Sequence, residues 1–345
     1  MIDFSSLSLA QNLIIFAITA AVIVAGGIAM TGLADTLADR TGFGEALVGG
    51  VMLGASTSLA GTVASVAAAA QDHPAFAVSN AVGGIAAQTA FLGIADVVYR
   101  KANLEHAAAS LANMTQATLL LILLSIPLLA AAMPPVTVWG IHPATLALVV
   151  GYVSGVRLTS TTRRMAMWTP QMTTDTRTDL PSEDSAYQPR PAVLATRLLA
   201  IAALVGVAGW LIAQTGLQIS QKAGVSESVI GALMTATVTS LPELVTTITA
   251  IRRGALQLAV GGIIGGNTFD VLFLALSDIA YRDGSIYHAI GGRVTFWIVL
   301  SMLMTAVLLL GLLRRERKGP ANIGFESAII LSLYAGAVIV QANLG

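Results

Sequence analysis

FLGIADVVYR, from Phe91 to Arg100, and FLALSDIAYR, from Phe273 to Arg282, are two copies of one stretch separated by 182 positions. Five of the ten positions are identical, whereas unrelated apolar sequence would match at about one. The same offset aligns the Thr-Ser-Leu triplet that begins at Thr57 with the one that begins at Thr239. The chain therefore contains a duplicated unit.

The composition places this duplicated chain in a membrane. Its 345 residues are 55% hydrophobic and only 10% charged, with a mean hydropathy of +0.79, so we predict an integral, all-α membrane protein. The formal net charge is zero, which gives no basis for a nucleic-acid partner. The absence of cysteine excludes disulfides and thiolate metal sites, and the first ten residues lack the basic region of a signal peptide.

A window of about 20 mostly apolar residues finds ten transmembrane helices. Their centres lie near Val22, Leu59, Ile85, Leu121, Val150, Val205, Leu241, Ile264, Val299 and Leu333. A polar stretch at 159–191 predicts a cytoplasmic loop between two sets of five. The first five-helix repeat then covers 1–158, with its motif region at about 44–100, and the second covers 192–345, with its motif region at about 226–282.

The topology of the two repeats follows from their odd number of spans. The second set enters the membrane from the opposite side to the first, which is the inverted-repeat architecture of alternating-access transporters. With the N- and C-termini outside, 15 of the 18 lysine and arginine residues fall in cytoplasmic connections, leaving Lys222, Arg282 and Arg293 outside. This distribution agrees with the positive-inside rule.

Polar residues within the second span of the second half mark a candidate site. Thr239, Glu243 and Thr247 are spaced four apart, which places two hydroxyls and a carboxylate on one helix face. Pro242 removes a backbone donor, so the helix is predicted to break and to leave a carbonyl near Val238 unpaired. Unpaired carbonyl oxygens are cation ligands.

The next span adds a second carboxylate. It contains GGIIGGNTFD, in which Asn267 precedes Asp270 by three positions on the same face. A charged carboxylate at mid-bilayer costs several kcal/mol when it stands alone, so Glu243 and Asp270 are predicted to be neutralised by a cation or a proton. The alternatives are a protonated Glu243 hydrogen-bonded between helices and an Asp270 that serves packing.

TSLPEL at 239–244, followed by GGNTFD at 265–270, resembles the second-repeat signature of the calcium/cation antiporter superfamily, which includes the sodium/calcium exchangers. The resemblance implies a ten-helix inverted fold, no cofactor, and inorganic cations as transported partners in a bacterial inner (plasma) membrane. The oligomeric state is left open, and a monomer is compatible with the sequence. The ion ligands that the resemblance implies are Thr239, Ser240, Glu243, Asp270 and the carbonyl near Ala236.

The first half departs from this pattern. The offset of 182 places Gly61 opposite Glu243, where the family keeps a glutamate, and Gln88 opposite Asp270. Loss of that glutamate is expected to free space beside Gly61 and Gly84. The neutral candidate ligands that remain in this half are Thr57, Ser58 and Gln88.

Charge counting turns the unequal halves into a functional prediction. Two carboxylates neutralise one divalent or two monovalent cations, and calcium prefers several carboxylates and six to eight oxygens. We therefore predict a secondary active antiporter that exchanges a divalent cation, with calcium first, for sodium or protons, with altered selectivity or stoichiometry. Transport of magnesium, manganese or a monovalent cation and a non-transporting regulatory role are the alternatives. An enzyme is not expected, because all four histidines map to loops or span ends.

The aspartate and arginine of the repeated stretch have two interpretations. Asp96 with Arg100, and Asp278 with Arg282, either guard the ion path on opposite sides of the membrane or form local i,i+4 pairs that stabilise helix ends. Local pairing is the preferred interpretation. The histidine ten positions after each aspartate is interpreted as interfacial.

Overall fold

A computed structural model describes residues 4–41, 54–99, 101–164, 168–171, 173, 191–319 and 323–344. These residues are mostly helical and contain no β-strand. Residues 54–57 are helical and precede α2. In chain order the helices are α1 Leu9–Thr41, α2 Leu59–Ala69, α3 Pro74–Val98, α4 Leu104–Ala108, α5 Leu111–Ala131, α6 Pro143–Arg164, α7 Pro191–Ala223, α8 Glu227–Thr239, α9 Leu241–Arg253, α10 Leu256–Ala280, α11 Ile286–Ala289, α12 Gly292–Arg314 and α13 Phe325–Leu344.

The all-α membrane prediction is confirmed, but the count of ten spans is not reached within the described residues. Seven helices are long and apolar enough to cross a membrane, and α8 with α9 makes an eighth if the bent pair is one span. α6 has 22 residues, yet its serine, threonine and arginine residues keep it below this standard. The predicted span near Leu59 contains α2, which has 11 residues, and 42–53 lie outside the described residues. Ten spans therefore stay a prediction.

The predicted cytoplasmic loop at 159–191 is shorter than expected at its start. α6 continues to Arg164, and α7 begins at Pro191. Residues 165–167, 172 and 174–190 lie outside the described part of the chain. The threonines at the end of α6 were assigned to the loop because they interrupt the apolar pattern, but their hydroxyls bond back to the helix, as Thr159 does to the carbonyl of Gly155.

Two helices form the centre of the fold. In α3 and α10, 83% and 67% of the most apolar window is buried, against 28% in α1 and 22% in α7. α3 carries small residues that allow close approach, and a Cβ at Gly83 would lie 2.5 Å from the Cα of Ala232 in α8. α1 and α7 pack against each other at the outside, where Ile14 and Leu199 are exposed. Their apolar outer faces suit contact with lipid.

Close contacts at two glycines join α1 to α9 and α7 to α2. A Cβ at Gly27 of α1 would lie 2.6 Å from the Cγ of Pro242 in α9, and a Cβ at Gly209 of α7 would lie 2.5 Å from the carbonyl oxygen of Ala60 in α2. Gly27 and Gly209 are related by the offset of 182, as are Ala60 and Pro242. Each outer helix therefore crosses a helix of the other half in the same way.

The aspartate of the second motif copy is a structural cap. Asp278 is fully buried, and its Oδ2 accepts hydrogen bonds from the backbone N–H of His142, at 2.8 Å, and from the hydroxyl of Thr145. Its Oδ1 accepts from the N–H of Ile286 at 3.0 Å. Arg282 is not among these partners and is exposed, so the local i,i+4 pair predicted here is wrong. Buried backbone donors of two other segments need the carboxylate instead.

Asp96 of the first copy makes the corresponding contacts. Its Oδ1 accepts from the N–H of Leu104 at 2.7 Å, and its Oδ2 accepts from the N–H of Gly324 at 2.8 Å. Leu104 corresponds to Ile286, and Gly324 corresponds to His142, at the offset of 182. The two aspartates therefore accept from equivalent positions. Each aspartate thus binds the start of a helix that belongs to the other half. Arg100 lies outside the described residues.

The two histidines predicted to be interfacial also make equivalent contacts with the other half. Nδ1 of His106 lies 2.7 Å from the carbonyl oxygen of Arg315, and Nε2 of His288 lies 2.7 Å from that of Met133. Met133 and Arg315 are again 182 positions apart. These rings therefore join the two halves at two equivalent positions.

Replacing Asp278 by alanine tests the capping role. Loss of the carboxylate leaves the buried N–H groups of His142 and Ile286 without an acceptor, at a cost of about 1–3 kcal/mol for each group. We expect Asp278→Ala to lower the thermal unfolding temperature in detergent clearly, whereas Asp283→Ala, at an exposed position nearby, leaves it unchanged. Equal unfolding temperatures for the two variants would contradict the assignment.

Candidate cation site

Two breaks in helical structure position the candidate site. α2 begins directly after Ser58 and α9 directly after Ser240, and the two serines are 182 positions apart. α8 and α9 meet at a bend of 41°. Pro242 lies in the first turn of α9, where its missing N–H costs no bond within that helix. The predicted break at Pro242 is therefore present, with the discontinuity at Ser240.

A small cavity, with an empty volume of about 180 Å³, lies between these breaks and the central helices α3 and α10. Every residue around it is buried, and most of them carry polar side chains. The lining residues are Ser58, Gly61, Asn80, Gly84, Gln88, Thr239, Ser240, Glu243, Asp270 and Phe273.

Glu243 and Asp270 supply the carboxylates of the lining, and they are 4% and 2% exposed. Oε1 of Glu243 accepts from the hydroxyl of Ser58 at 3.5 Å. Oδ2 of Asp270 accepts from Nε2 of Gln88 at 2.7 Å, and the same amide donates to Oγ of Ser240 at 3.2 Å. Glu243 also lies in the first turn of α9, where the helix dipole favours negative charge. Neutral groups of the first half thus hold both carboxylates.

Four buried oxygens at the cavity have no hydrogen-bond donor among the described residues. They are Oε2 of Glu243, Oδ1 of Asp270, Oε1 of Gln88 and Oδ1 of Asn80. A buried acceptor left without a partner costs about 1–3 kcal/mol. Carboxylate and amide oxygens are the ligands of hard cations such as calcium. This set of oxygens therefore fits a hard cation that enters the cavity as a transported substrate.

Among the described residues, the charge that lines the cavity is limited to these two carboxylates. Across the part of the chain that the structure describes, no group of three or more histidine, aspartate and glutamate side chains is arranged to hold a metal ion. The remaining polar groups of the lining are amides and hydroxyls, which carry no net charge. An ion in the cavity would thus meet a total of two negative charges at most.

Six of the nine predicted ligands line the cavity: Thr239, Ser240, Glu243, Asp270, Ser58 and Gln88. The other three lie close by. The hydroxyl of Thr57 donates to the carbonyl of Gly54 at 3.2 Å, next to Ser58 in the chain. The carbonyl of Ala236 already accepts from the N–H of Ser240 at 3.1 Å and from the hydroxyl of Thr239 at 3.2 Å. Nδ2 of Asn267 donates to Thr89 at 3.0 Å, and its Oδ1 has no donor.

Asn80 was missed by the sequence analysis. Its Nδ2 donates to the carbonyl oxygen of Gly61 at 3.1 Å and to Oγ of Ser65 at 2.9 Å, and its Oδ1 has no donor among the described residues. Asn80 lines the cavity. The repeat gives no signal for it, because the offset of 182 places Gly262 opposite. An amide within a largely apolar span was the signal that was available.

The space expected beside Gly61 is occupied. A Cβ at Gly61 would lie 2.9 Å from Cε2 of Phe273, which is closer than real side chains approach. At Gly84, by contrast, a Cβ would lie 3.4 Å from Oγ of Ser240 and 3.8 Å from Oδ2 of Asp270, which are ordinary contacts. The expectation of free space is therefore wrong at Gly61, whereas Gly84 has room for a Cβ in ordinary contact with its neighbours. Phe273 is the first residue of the second motif copy, which the sequence indicated only as scaffold.

Comparison with known proteins gives a match along both halves. The profile of a family described as sodium/calcium exchanger protein matches residues 11–157 and 192–343. A putative antiporter CaxA of Alkalimonas amylolytica is 31% identical over 151 residues, which are 43% of this chain and 46% of that protein. The sodium/calcium exchanger MaX1 of Methanosarcina acetivorans is 28% identical over 140 residues, 40% of each chain. The aligned region thus spans less than half the length of these curated relatives.

Solved structures match along nearly the whole chain. A structure of the sodium-calcium exchanger NCX_Mj soaked with sodium and strontium has a TM-score of 0.60 at 18% identity, and the match covers 96% of this chain and 99% of that one. A structure of the same exchanger soaked without sodium and calcium has a TM-score of 0.56 at 17% identity, covering 98% and 100%. At this level of identity the likeness establishes a shared fold.

Replacing Gln88 by glutamate tests the contact with Asp270. The new carboxylate would face Oδ2 of Asp270 across the 2.7 Å that the amide now spans, and two carboxylates at this distance disfavour ionisation of both. Because the folded state would then bind a proton that the unfolded state releases near neutral pH, stability should fall as pH rises. We expect the unfolding temperature of Gln88→Glu to drop between pH 5 and pH 8 and to recover on addition of calcium.

The control for this experiment is Gln71→Glu, the same substitution at an exposed position. Its unfolding temperature should follow that of the wild type at both pH values. A Gln88→Glu protein that shows neither the pH dependence nor the recovery with calcium would mean that the amide and Asp270 are not in contact.

Proposed function

The chain belongs to the sodium/calcium exchanger family, and from this we propose that it is a secondary active antiporter that exchanges a divalent cation for sodium or protons. Calcium is the first candidate, because two carboxylates and several neutral oxygens surround the cavity. The observation that carries the proposal is the group of buried carboxylate and amide oxygens without donors. The relatives are exchangers rather than enzymes, in keeping with a transport role.

The charge of the cavity supports an altered stoichiometry. Both carboxylates come from the second half, and Gly61 and Gln88 stand at the equivalent positions of the first. Two negative charges balance one divalent or two monovalent cations. A third sodium ion would bring a net positive charge into a buried site, which is costly in a medium of low polarity. The proposed exchange therefore involves fewer sodium ions or protons than a site with a third carboxylate would carry.

The proposed topology is ten spans in two inverted repeats, with both termini outside. Contacts repeated at the offset of 182 support the duplication: the bonds from Gly324 to Asp96 and from His142 to Asp278, the histidine contacts with Arg315 and Met133, and the Gly27 and Gly209 crossings. Each of these contacts joins one half to the other. Two copies packed in this reciprocal way are suited to present the cavity to either side of a membrane in turn.

The outer helices α1 and α7 are proposed to move against the remaining helices during exchange. They pack against each other and are the least buried of the long helices together with α13. They also cross the starts of α2 and α9 through Gly27 and Gly209, next to the residues that line the cavity. A displacement of this pair would open the cavity from one side while the core helices stay in place.

Replacing Glu243 by glutamine tests the site directly. The change keeps the size of the side chain and removes its charge, so that one carboxylate faces the ion instead of two. We expect calcium uptake into vesicles, driven by a sodium or proton gradient, to fall about tenfold or more. Glu227→Gln is the matched control, since Glu227 lies at the start of α8 in an ion pair with His73 and outside the cavity lining.

Three outcomes of this measurement decide between the candidate functions. Uptake by Glu243→Gln equal to that of the wild type would contradict the proposed site. Uptake of magnesium, manganese or a monovalent cation in place of calcium would keep the site and change the substrate. A wild-type protein that carries none of these ions against either gradient would favour a regulatory role.

Replacing Gly27 by alanine tests the proposed movement. The added methyl group would meet Pro242 at 2.6 Å, so we expect the initial rate of exchange to fall about tenfold while the apparent affinity for the ion changes little. Gly32→Ala on the same helix is the control, because a Cβ there has nothing within 4 Å. Equal rates for the two variants would argue against a close sliding contact at this position.

A further inference from the structure

We infer that Phe273 sets the ion capacity of the cavity: its ring fills the place where a side chain at position 61 would bring a third carboxylate. This inference rests on the proposed transport function and adds to it a residue that bears no polar group. Phe273 lines the cavity and is 3% exposed. It belongs to the second half, as do both carboxylates.

The direction of the missing side chain points to the ring. A Cβ built on Gly61 would meet Cε2 of Phe273 at 2.9 Å and Cζ at 3.4 Å, and it would lie 3.5 Å from the hydroxyl oxygen of Thr239. Thr239 itself lines the cavity. A side chain at 61 would therefore start toward the ion site, and the edge of the ring stands in its way.

Neighbouring aromatic rings hold Phe273 in place. Its ring contacts that of Phe269 edge to face, with centroids 6.4 Å apart, and Phe269 contacts Tyr152 of α6 in the same manner at 6.0 Å. These three rings form a continuous wedge from α6 to the cavity. Close packing of these rings restricts the rotation of Phe273, so the ring is expected to keep its place beside Gly61.

The chemistry of this wall limits the ion. The atoms nearest to Gly61 are Cε2 and Cζ, at the edge of the ring, and the edge of an aromatic ring carries positive partial charge. It offers no ligand and repels a cation weakly. The side of the cavity that faces Gly61 is thus closed to an additional ion by both volume and charge.

A set of four variants tests the inference: Gly61→Glu, Phe273→Ala, the two combined, and Phe91→Ala. Phe91 is the counterpart of Phe273 in the first motif copy, is buried, and does not line the cavity. It therefore controls for the loss of a large apolar side chain. The measurements are calcium uptake into vesicles as a function of sodium concentration, the ratio of barium to calcium uptake, and the unfolding temperature in detergent.

Only the combined variant should gain ion capacity. The sodium dependence of its calcium uptake should become steeper than that of the wild type, since a Hill coefficient can rise as far as the number of coupled sites. Phe273→Ala alone should raise the ratio of barium to calcium uptake about tenfold by widening the cavity. Phe91→Ala should leave both the sodium dependence and the ion ratio unchanged.

The unfolding temperature gives a readout that does not depend on transport. Gly61→Glu alone should unfold at a lower temperature than the combined variant, because removal of the ring relieves the clash. A Gly61→Glu protein that matches the combined variant in stability and in sodium dependence would overturn the inference, as would an unchanged ion ratio in Phe273→Ala. Absence of cation uptake by the wild type would overturn the proposed function itself, and the thermal comparison would still show whether the ring occupies the site of the missing side chain.

Discussion

Two carboxylates buried within a membrane protein need a compensating charge, and the rest of the structure is arranged around this need. Glu243 and Asp270 are enclosed by the two central helices, α3 and α10, and by the helix breaks at Ser58 and Ser240. The groups that contact them are hydroxyls and an amide, which orient the carboxylates without neutralising them. A permanent basic partner would form a stable ion pair and close the site. In the proposed antiporter, these neutral contacts leave the negative charge available to a cation that must also leave.

The scaffold that encloses this charge is built by exchange between the two halves. Asp96 caps the start of a helix in the second half, and Asp278 caps the start of one in the first. Such caps join the two halves, while the helix breaks at Ser58 and Ser240 lie beside the cavity. Both the capping aspartates and the helix breaks recur at the offset of 182. The duplication therefore provides both the aspartate contacts that join the halves and the irregular backbone beside the cavity.

Much of the candidate site could be predicted from the sequence, because its signals are local. Glu243, Pro242 and Asp270 are conspicuous within apolar spans, and the offset of 182 identified Gly61 and Gln88 as their neutral counterparts. What could not be predicted depends on residues far apart in the chain. Two of the donors to Asp278, His142 and Thr145, lie 136 and 133 positions away in the chain, so the nearby Arg282 was the partner that the sequence favoured. The apolar first part of α6 also predicted a membrane span, but the complete helix is less apolar because its last turns are rich in threonine.

The position of Gly61 shows why charge alone does not describe the site. Removal of a side chain from a packed core leaves a cavity that costs free energy in proportion to its volume, and neighbouring groups relax into it only if they have the right shape. The ring of Phe273 meets this requirement, because its edge lies where a side chain at Gly61 would begin and Phe269 packs against the ring edge to face. A change of ligand in one half and a bulky neighbour in the other are therefore one structural feature. The number of ions that the cavity can hold depends on the two together.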